Sequence, residues 1–205
     1  MEARELTAES AEASLKLAVC ALRESGVPFL LGGSLAAWAR GGPQSRHDLD
    51  FIVKPGDADQ ALEVLSAAGM RPERPPEEWL YKAWHGDVQI DLIFEPRGLA
   101  VTDEVMERGE LIHVLGITIP VMAIEDVLAT KLLAMHDHSL DYSAILEIAR
   151  ALREQIDWPS LRRRTAGNAY AIAFFVLVEE LGIVSDGHAR PGADVRVLTR
   201  GQGQE

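Results

Sequence analysis

Hydrophobic positions recur along the chain with two periods, which divide it into a mixed first half and a helical second half. The spacing predicts helices over 7–25, 35–39, 58–68, 124–136, 142–153, 158–165 and 168–181. Short β-branched or apolar runs predict strands over 28–31, 48–54, 80–84, 88–94, 111–114 and 117–121, and the Pro-rich stretch 71–78 is expected to be an exposed loop. We therefore predict an α/β lobe over 1–121, an all-helical lobe over 122–183, and a mobile tail over 184–205, which is rich in Gly and Arg.

Composition narrows the class of protein. The 205 residues carry a net charge of −12, which argues against binding nucleic acid by bulk electrostatics. The dense basic cluster Arg162, Arg163 and Arg164 is either a solvated helix face or a local phosphate contact. No apolar run approaches the roughly 20 residues that span a bilayer, and residues 1–5 do not resemble a signal peptide. The single Cys20 is expected to be buried and inert, and it fits a reducing cytoplasm.

Carboxylates concentrate in two predicted strands. Asp48 and Asp50 are one residue apart, so both side chains point to the same face of the strand. Two carboxylates on one face repel each other unless a cation lies between them. A third carboxylate, Asp91, lies in a later strand. Oxygen ligands without Cys or His suit Mg²⁺, which is commonly held by one or two carboxylates together with substrate phosphates.

A glycine-rich turn precedes these carboxylates. Gly32, Gly33 and Ser34 link a short strand to a helix, and backbone N–H groups at such a turn can hold a phosphate. We expect the Ser34 hydroxyl to donate to the same phosphate. The alternatives are a simple tight turn here, an Asp48 that merely pairs with Arg46, and an Asp91 that is a satisfied surface carboxylate.

These motifs together resemble the DNA polymerase β-like nucleotidyltransferases. In that superfamily a Gly-Gly/Ser turn opens a helix, an acidic-hydrophobic-acidic strand follows, and a third acidic residue lies on a neighbouring strand. The chain reads Leu31-Gly32-Gly33-Ser34, then Asp48-Leu49-Asp50, then Val88-Gln89-Ile90-Asp91-Leu92. The resemblance implies a nucleotidyltransferase-type mixed sheet flanked by helices, and transfer of an NMP from an NTP such as ATP with release of pyrophosphate. It also implies Mg²⁺ or Mn²⁺ on the three carboxylates.

The second half is similar to the AbiEii-type and MenT-type nucleotidyltransferase toxins. The stretch 124–132 resembles their helical region, which implies that Lys131 lies at the active-site cleft, where it would neutralise the triphosphate, and that Asp141 joins the nucleotide site. Arg46, which is close in sequence to Asp48 and Asp50, is also predicted to bind the nucleotide. Lys131 could instead extend to solvent from an apolar helix face. As in toxin–antitoxin systems, the resemblance admits an antitoxin partner.

The acceptor is the least determined part of the prediction. We expect an RNA acceptor, first of all tRNA, with phosphate contacts from the arginine cluster. Aminoglycoside or lincosamide antibiotics and protein hydroxyls are the alternatives, and a catalytically silent binding module of the same fold is the competing class. Trp79, Tyr81 and Trp84 either stack a base or pack within their hairpin.

Overall fold

A seven-stranded mixed sheet flanked by helices forms the framework of the computed structural model, which describes residues 8–44 and 49–184. The helices are α1 (Ala8–Ser25), α2 (Gly33–Ala39), α3 (Ala58–Ala67), α4 (Asp103–Glu107), α5 (Ile124–Leu133), α6 (Ser143–Ala151), α7 (Trp158–Arg164) and α8 (Ala169–Glu180), with a short 3₁₀ turn at Pro55–Asp57. The strands are β1 (Leu30–Leu31), β2 (Leu49–Ile52), β3 (Arg71–Glu73), β4 (Leu80–His85), β5 (Val88–Ile93), β6 (Glu110–Val114) and β7 (Ile117–Val121). Their order in the sheet is β3-β4-β5-β2-β1-β7-β6.

Helix α1 follows the predicted helical spacing closely. Leu15, Ala18, Val19 and Leu22 are fully buried at intervals of three and four residues, so one stripe of the helix faces the core. Cys20 lies outside this stripe and is exposed, so the expectation that its thiol is buried was wrong.

The two faces of the sheet differ in chemistry. In β5, Val88, Ile90 and Leu92 are buried on one face, while Gln89 and Asp91 alternate with them and are half-buried on the other. Helices α1 and α3 pack against β5, and α3 also packs against β4. The polar face is therefore the one that bears the candidate chemistry.

The helices and hairpins predicted for the first half of the chain are present, and the structure adds two elements, β3 and α4. β4 and β5 pair antiparallel, and so do β6 and β7. The stretch predicted to be a loop over 71–78 instead begins with strand β3, which pairs with β4. Pro72 lacks an N–H, but β3 is an edge strand, where one missing donor is tolerated. Helix α4 was not predicted.

The helical second half packs on the sheet through a shared interior. Buried side chains from residues before and after 121 belong to one hydrophobic cluster, so the division into two lobes stays a prediction. Asp126 in α5 is fully buried within it and forms ion pairs with Arg108 and Arg164, its Oδ2 lying 2.9 Å from Arg108 Nε. Residues 185–205 of the predicted tail lie outside the described part of the chain. Within that part, no helix has the length and apolar character needed to span a membrane.

Candidate active site

Strands β2 and β5 bring two of the predicted carboxylates side by side. The strands pair in parallel, and Asp50 is in register with Asp91. Neighbouring strands lie about 4.8 Å apart, and residues in register point to the same face. The two carboxylates therefore share one face of the sheet. Asp48 and Arg46 lie outside the described residues, so their predicted roles are not assessed by the structure.

The glycine turn approaches these carboxylates directly. The Gly32 N–H donates to the Asp50 carbonyl at 2.8 Å, which fixes the turn against β2. Gly33, the first residue of α2, has φ +57°. A Cβ built on Gly33 would lie 1.7 Å from Asp50 Oδ2. Only glycine fits at this position, because any side chain would occupy the space of the carboxylate.

Lys131 reaches the same turn from helix α5. Its Nζ donates to Ser34 Oγ at 3.1 Å. Burial lowers the pKa of Lys131, and the nearby charge of Asp50 partly offsets this effect. The ammonium group is thus held inside the site, which excludes the alternative that it extends freely into solvent.

Arg40 anchors helix α2, and with it the turn. Its side chain is buried, and its Nε and Nη2 donate to the carbonyl oxygens of Met122 and Val121 at 3.0 and 3.3 Å. Its Nη1 lies 3.2 Å from a carboxylate oxygen of Glu110. These contacts tie the C-terminal end of α2 to β6 and β7, and so help to position its N-terminal end beside Asp50.

Asp141, the other residue predicted for the nucleotide site, forms local contacts. Asp141 is exposed, and its Oδ1 accepts a hydrogen bond from the Ser143 backbone N–H at 2.8 Å. A hydrogen bond from the Ser143 side chain and, to a lesser extent, this backbone bond lower the pKa of Asp141. No contact in the described part of the chain joins Asp141 to Lys131 or Ser34.

Two arginines of the basic cluster are engaged within the protein. Arg162 pairs with Glu179 at 2.5 Å, and its guanidinium lies 4.2 Å from the centre of the Phe175 ring. Arg164 pairs with the buried Asp126. The arginine between them is exposed. A purely solvated face is therefore wrong for Arg164, which helps to hold α7 against α5.

The structure adds residues that the sequence did not single out. Gln89 Nε2 donates to Asp91 Oδ1 at 2.9 Å. Lys82 is in register with Asp91 on one side and with Glu73 on the other. The period-2 pattern of β4 and β5 was visible in the sequence, but their register was not, so this neighbourhood could not be found.

The oxygen donors of the site fit a divalent cation. Asp50 and Asp91 supply carboxylates from adjacent strands, and the Gly33 backbone leaves the Asp50 carboxylate uncrowded. Within residues 8–44 and 49–184 no cluster of three acidic, His or Cys side chains is present. Asp48, the third predicted ligand, is not among those residues.

Comparison with known proteins identifies the family of the chain. A family model described as an uncharacterised nucleotidyltransferase matches residues 2–172. The chain belongs to this nucleotidyltransferase family and is an enzyme of that class, whose members generally use an NTP and a divalent metal. A comparison with curated proteins finds no match.

Solved structures share the fold at low sequence identity. The solution structure of the antibiotic-resistance factor ANT(2″)-Ia is 14% identical, with a TM-score of 0.62 over 86% of this chain and 99% of that one. Its crystal structure with adenylyl-2″-tobramycin is 14% identical, with a TM-score of 0.58 over 80% and 98%.

Proposed function

We propose that this protein transfers a nucleoside monophosphate from an NTP to an acceptor hydroxyl. The acceptor oxygen forms a bond to the α-phosphorus, and the bond from that phosphorus to the bridging oxygen breaks. Pyrophosphate leaves with the electron pair, and the acceptor proton passes to a carboxylate. A divalent cation, Mg²⁺ or Mn²⁺, would be held by Asp50 and Asp91 together with Asp48, and it would supply electrostatic stabilisation of the charged phosphates.

Each residue of the site then has a distinct role. The backbone N–H groups of the glycine turn and the Ser34 hydroxyl bind the triphosphate. Lys131, on the far side of Ser34, adds a positive charge where negative charge develops on the leaving pyrophosphate. Asp91 accepts the proton of the acceptor hydroxyl, and Gln89 orients its carboxylate.

One observation carries the proposal: the turn, the lysine and the carboxylate converge on one point. Gly33 leaves room for the Asp50 carboxylate, and Lys131 donates to the adjacent Ser34. A helix start, a half-buried cation and an acidic strand in this arrangement suit a phosphate chain with bound metal. A catalytically silent module of the same fold would release no pyrophosphate, so the two classes differ in a measurable product.

Pyrophosphate release measures this function directly. We expect Mg²⁺-dependent release from an NTP in the presence of an acceptor extract, and loss of it in Asp50→Asn and in Asp91→Asn. The matched control is Asp59→Asn, because Asp59 lies in α3 and pairs with Arg74 outside the site. If both site variants released pyrophosphate at the wild-type rate, the assignment would be wrong.

The first candidate acceptor is an RNA 3′ end, as in the toxin-like nucleotidyltransferases, with tRNA as the test substrate. Arg162 and Arg164 already have partners inside the protein, so they do not support this choice as the sequence suggested. Support comes instead from positive and aromatic side chains on β3 and β4, beside Asp91. An antitoxin partner remains part of this toxin-like proposal.

An antibiotic is the second candidate acceptor, favoured by the TM-score of 0.62 with ANT(2″)-Ia over 86% of this chain. The net charge of −12 also suits a cationic aminoglycoside. Incubation with labelled NTPs and either total tRNA or an aminoglycoside panel separates the two. Label on the antibiotic alone would exclude the RNA candidate.

A further inference from the structure

Four charged side chains form a row across the polar face of the sheet. The register of β3, β4, β5 and β2 places Glu73 opposite Lys82, Lys82 opposite Asp91, and Asp91 opposite Asp50. Cross-strand partners have their Cβ atoms about 4.5–5.5 Å apart and share a face. The row therefore leads from the edge strand directly to the two carboxylates of the active site.

The negative members of the row have other partners. Glu73 lies 3.5 Å from the guanidinium of Arg71 and accepts a hydrogen bond from Trp84 Nε1 at 2.7 Å. Asp91 accepts from Gln89, and in the proposed reaction it also holds the metal ion. No hydrogen bond or ion pair joins either carboxylate to Lys82 within residues 8–44 and 49–184.

Lys82 is the unmatched member. Its side chain is half-buried, and it forms no hydrogen bond or ion pair with any residue in the described ranges 8–44 and 49–184. Its ammonium group is therefore available to a ligand on the face of the sheet that bears Asp91. Because it lies beside Asp91, which receives the acceptor proton, this cation is positioned for a group on the acceptor and not for the distant triphosphate turn.

The next row along the same strands is suited to a nucleobase. Arg71 is in register with Trp84, and its guanidinium lies 5.3 Å from the centre of the indole ring. Trp84 is in turn in register with Gln89. Arginine planes and aromatic rings are the surfaces on which unstacked bases rest in RNA-binding proteins.

We propose that Lys82 binds a phosphate of the acceptor, and that the Arg71–Trp84 pair supports the base of the same nucleotide. This inference rests on the proposed function, since it uses Asp91 as the proton acceptor. It assigns the acceptor to molecules that carry a phosphate close to the reacting hydroxyl, either an RNA 3′ end or a small nucleotide. It favours the RNA candidate over the aminoglycoside, because an aminoglycoside carries no phosphate for Lys82 to bind.

Direct binding tests the inference without turnover. The probe is a 5′-fluorescein-labelled CCA trinucleotide with a free 3′ hydroxyl, titrated with Mg²⁺ present and followed by anisotropy. We expect Lys82→Met to weaken binding about 10- to 100-fold, since a charge-assisted contact is lost. Lys82→Arg should retain most of the affinity. Lys16→Met is the matched control, because Lys16 pairs with Glu12 on α1, which packs on the opposite face.

Ligand variants identify the group that is bound. A trinucleotide with neutral methylphosphonate linkages should bind wild type and Lys82→Met equally weakly. If an RNA end is the source of the phosphate, CCA should bind more tightly than cytidine 5′-monophosphate, and equal affinity indicates a small nucleotide. The inference is overturned if wild type does not bind either probe at millimolar concentration, or if Lys82→Met binds CCA as wild type does.

Parallel assays separate this inference from the proposed function. Lys82→Met should bind the NTP with Mg²⁺ as wild type does in calorimetry, and an equal loss of NTP and CCA binding would overturn the acceptor role. Lys82-dependent binding of CCA without any pyrophosphate release would remove the proposed function and leave the phosphate site standing. Pyrophosphate release by wild type, with equal CCA binding by wild type and Lys82→Met, would support the proposed function and overturn the phosphate site.

Discussion

Replacement of Gly33 by alanine should remove activity while leaving a folded protein. The backbone there has φ +57°, which costs a non-glycine residue about 1–2 kcal/mol. The new Cβ would lie 1.7 Å from Asp50 Oδ2. Carbon needs about 3.5 Å for an ordinary contact, so the carboxylate must move by roughly 2 Å. A misplacement of about 1 Å in an active site can cost about 100-fold in rate, so we expect a loss of at least 100-fold.

A second glycine provides the control for backbone strain. Gly26 has φ +74°, and a Cβ there would meet nothing within 4 Å. Gly26→Ala should therefore lose similar stability, about 2–8 °C in Tm by thermal denaturation for a chain of this size, and keep its activity. Pyrophosphate release is measured for both variants at saturating NTP. Equal activity in Gly33→Ala and Gly26→Ala would refute the claim that Gly33 is required by the Asp50 carboxylate.

Three further substitutions separate stability from catalysis. Asp126→Ala leaves two arginines without their buried partner and should lower the free energy of unfolding in urea by about 3–5 kcal/mol. Asp59→Ala removes an exposed ion pair and should lower it by less than about 1 kcal/mol. Lys131→Met should lose activity yet unfold no more easily than wild type, because burial disfavours the lysine charge. Folding lowers this pKa, so the buried charge reduces the free energy of unfolding of wild type fully below the folded pKa, and less as pH rises toward the ordinary value of 10.5. The difference in free energy of unfolding between wild type and Lys131→Met should therefore narrow as pH approaches that value. Ser34→Ala should lower kcat/KM about 10- to 100-fold through one lost charge-assisted hydrogen bond, and unchanged kinetics would mean that the hydroxyl does not touch the phosphates.

Most of the architecture could be predicted from the sequence because the local patterns of turns, strands and helices were clear. The glycine turn, the alternating strands around Asp91 and the helical second half all appear as predicted. Each of these signals lies within a few consecutive residues, where backbone preference and side-chain period act together. The short strand β3 was missed because Pro72 favours a loop unless the strand is known to lie at a sheet edge.

The contacts that join distant segments could not be predicted in the same way. Helix α5 is buried on most of its circumference, so its pattern does not distinguish Asp126 from its apolar neighbours. The partners of Asp126 come from positions 18 residues earlier and 38 residues later. The neighbourhood of Lys82 depends on the register of four strands, which the hydrophobic period alone does not determine.

Helix α5 carries Asp126, which forms the buried ion pairs, and Lys131 of the candidate site, five residues apart. At about 100° per residue, Asp126 and Lys131 point in directions that differ by about 140° around the helix axis. The two arginines that hold Asp126 therefore also set the rotational angle of the helix, and through it the direction in which the ammonium group points. Deletion of Thr130, which lies between them, would turn Lys131 by about 100° and direct it away from Ser34 while the ion pairs remained in place.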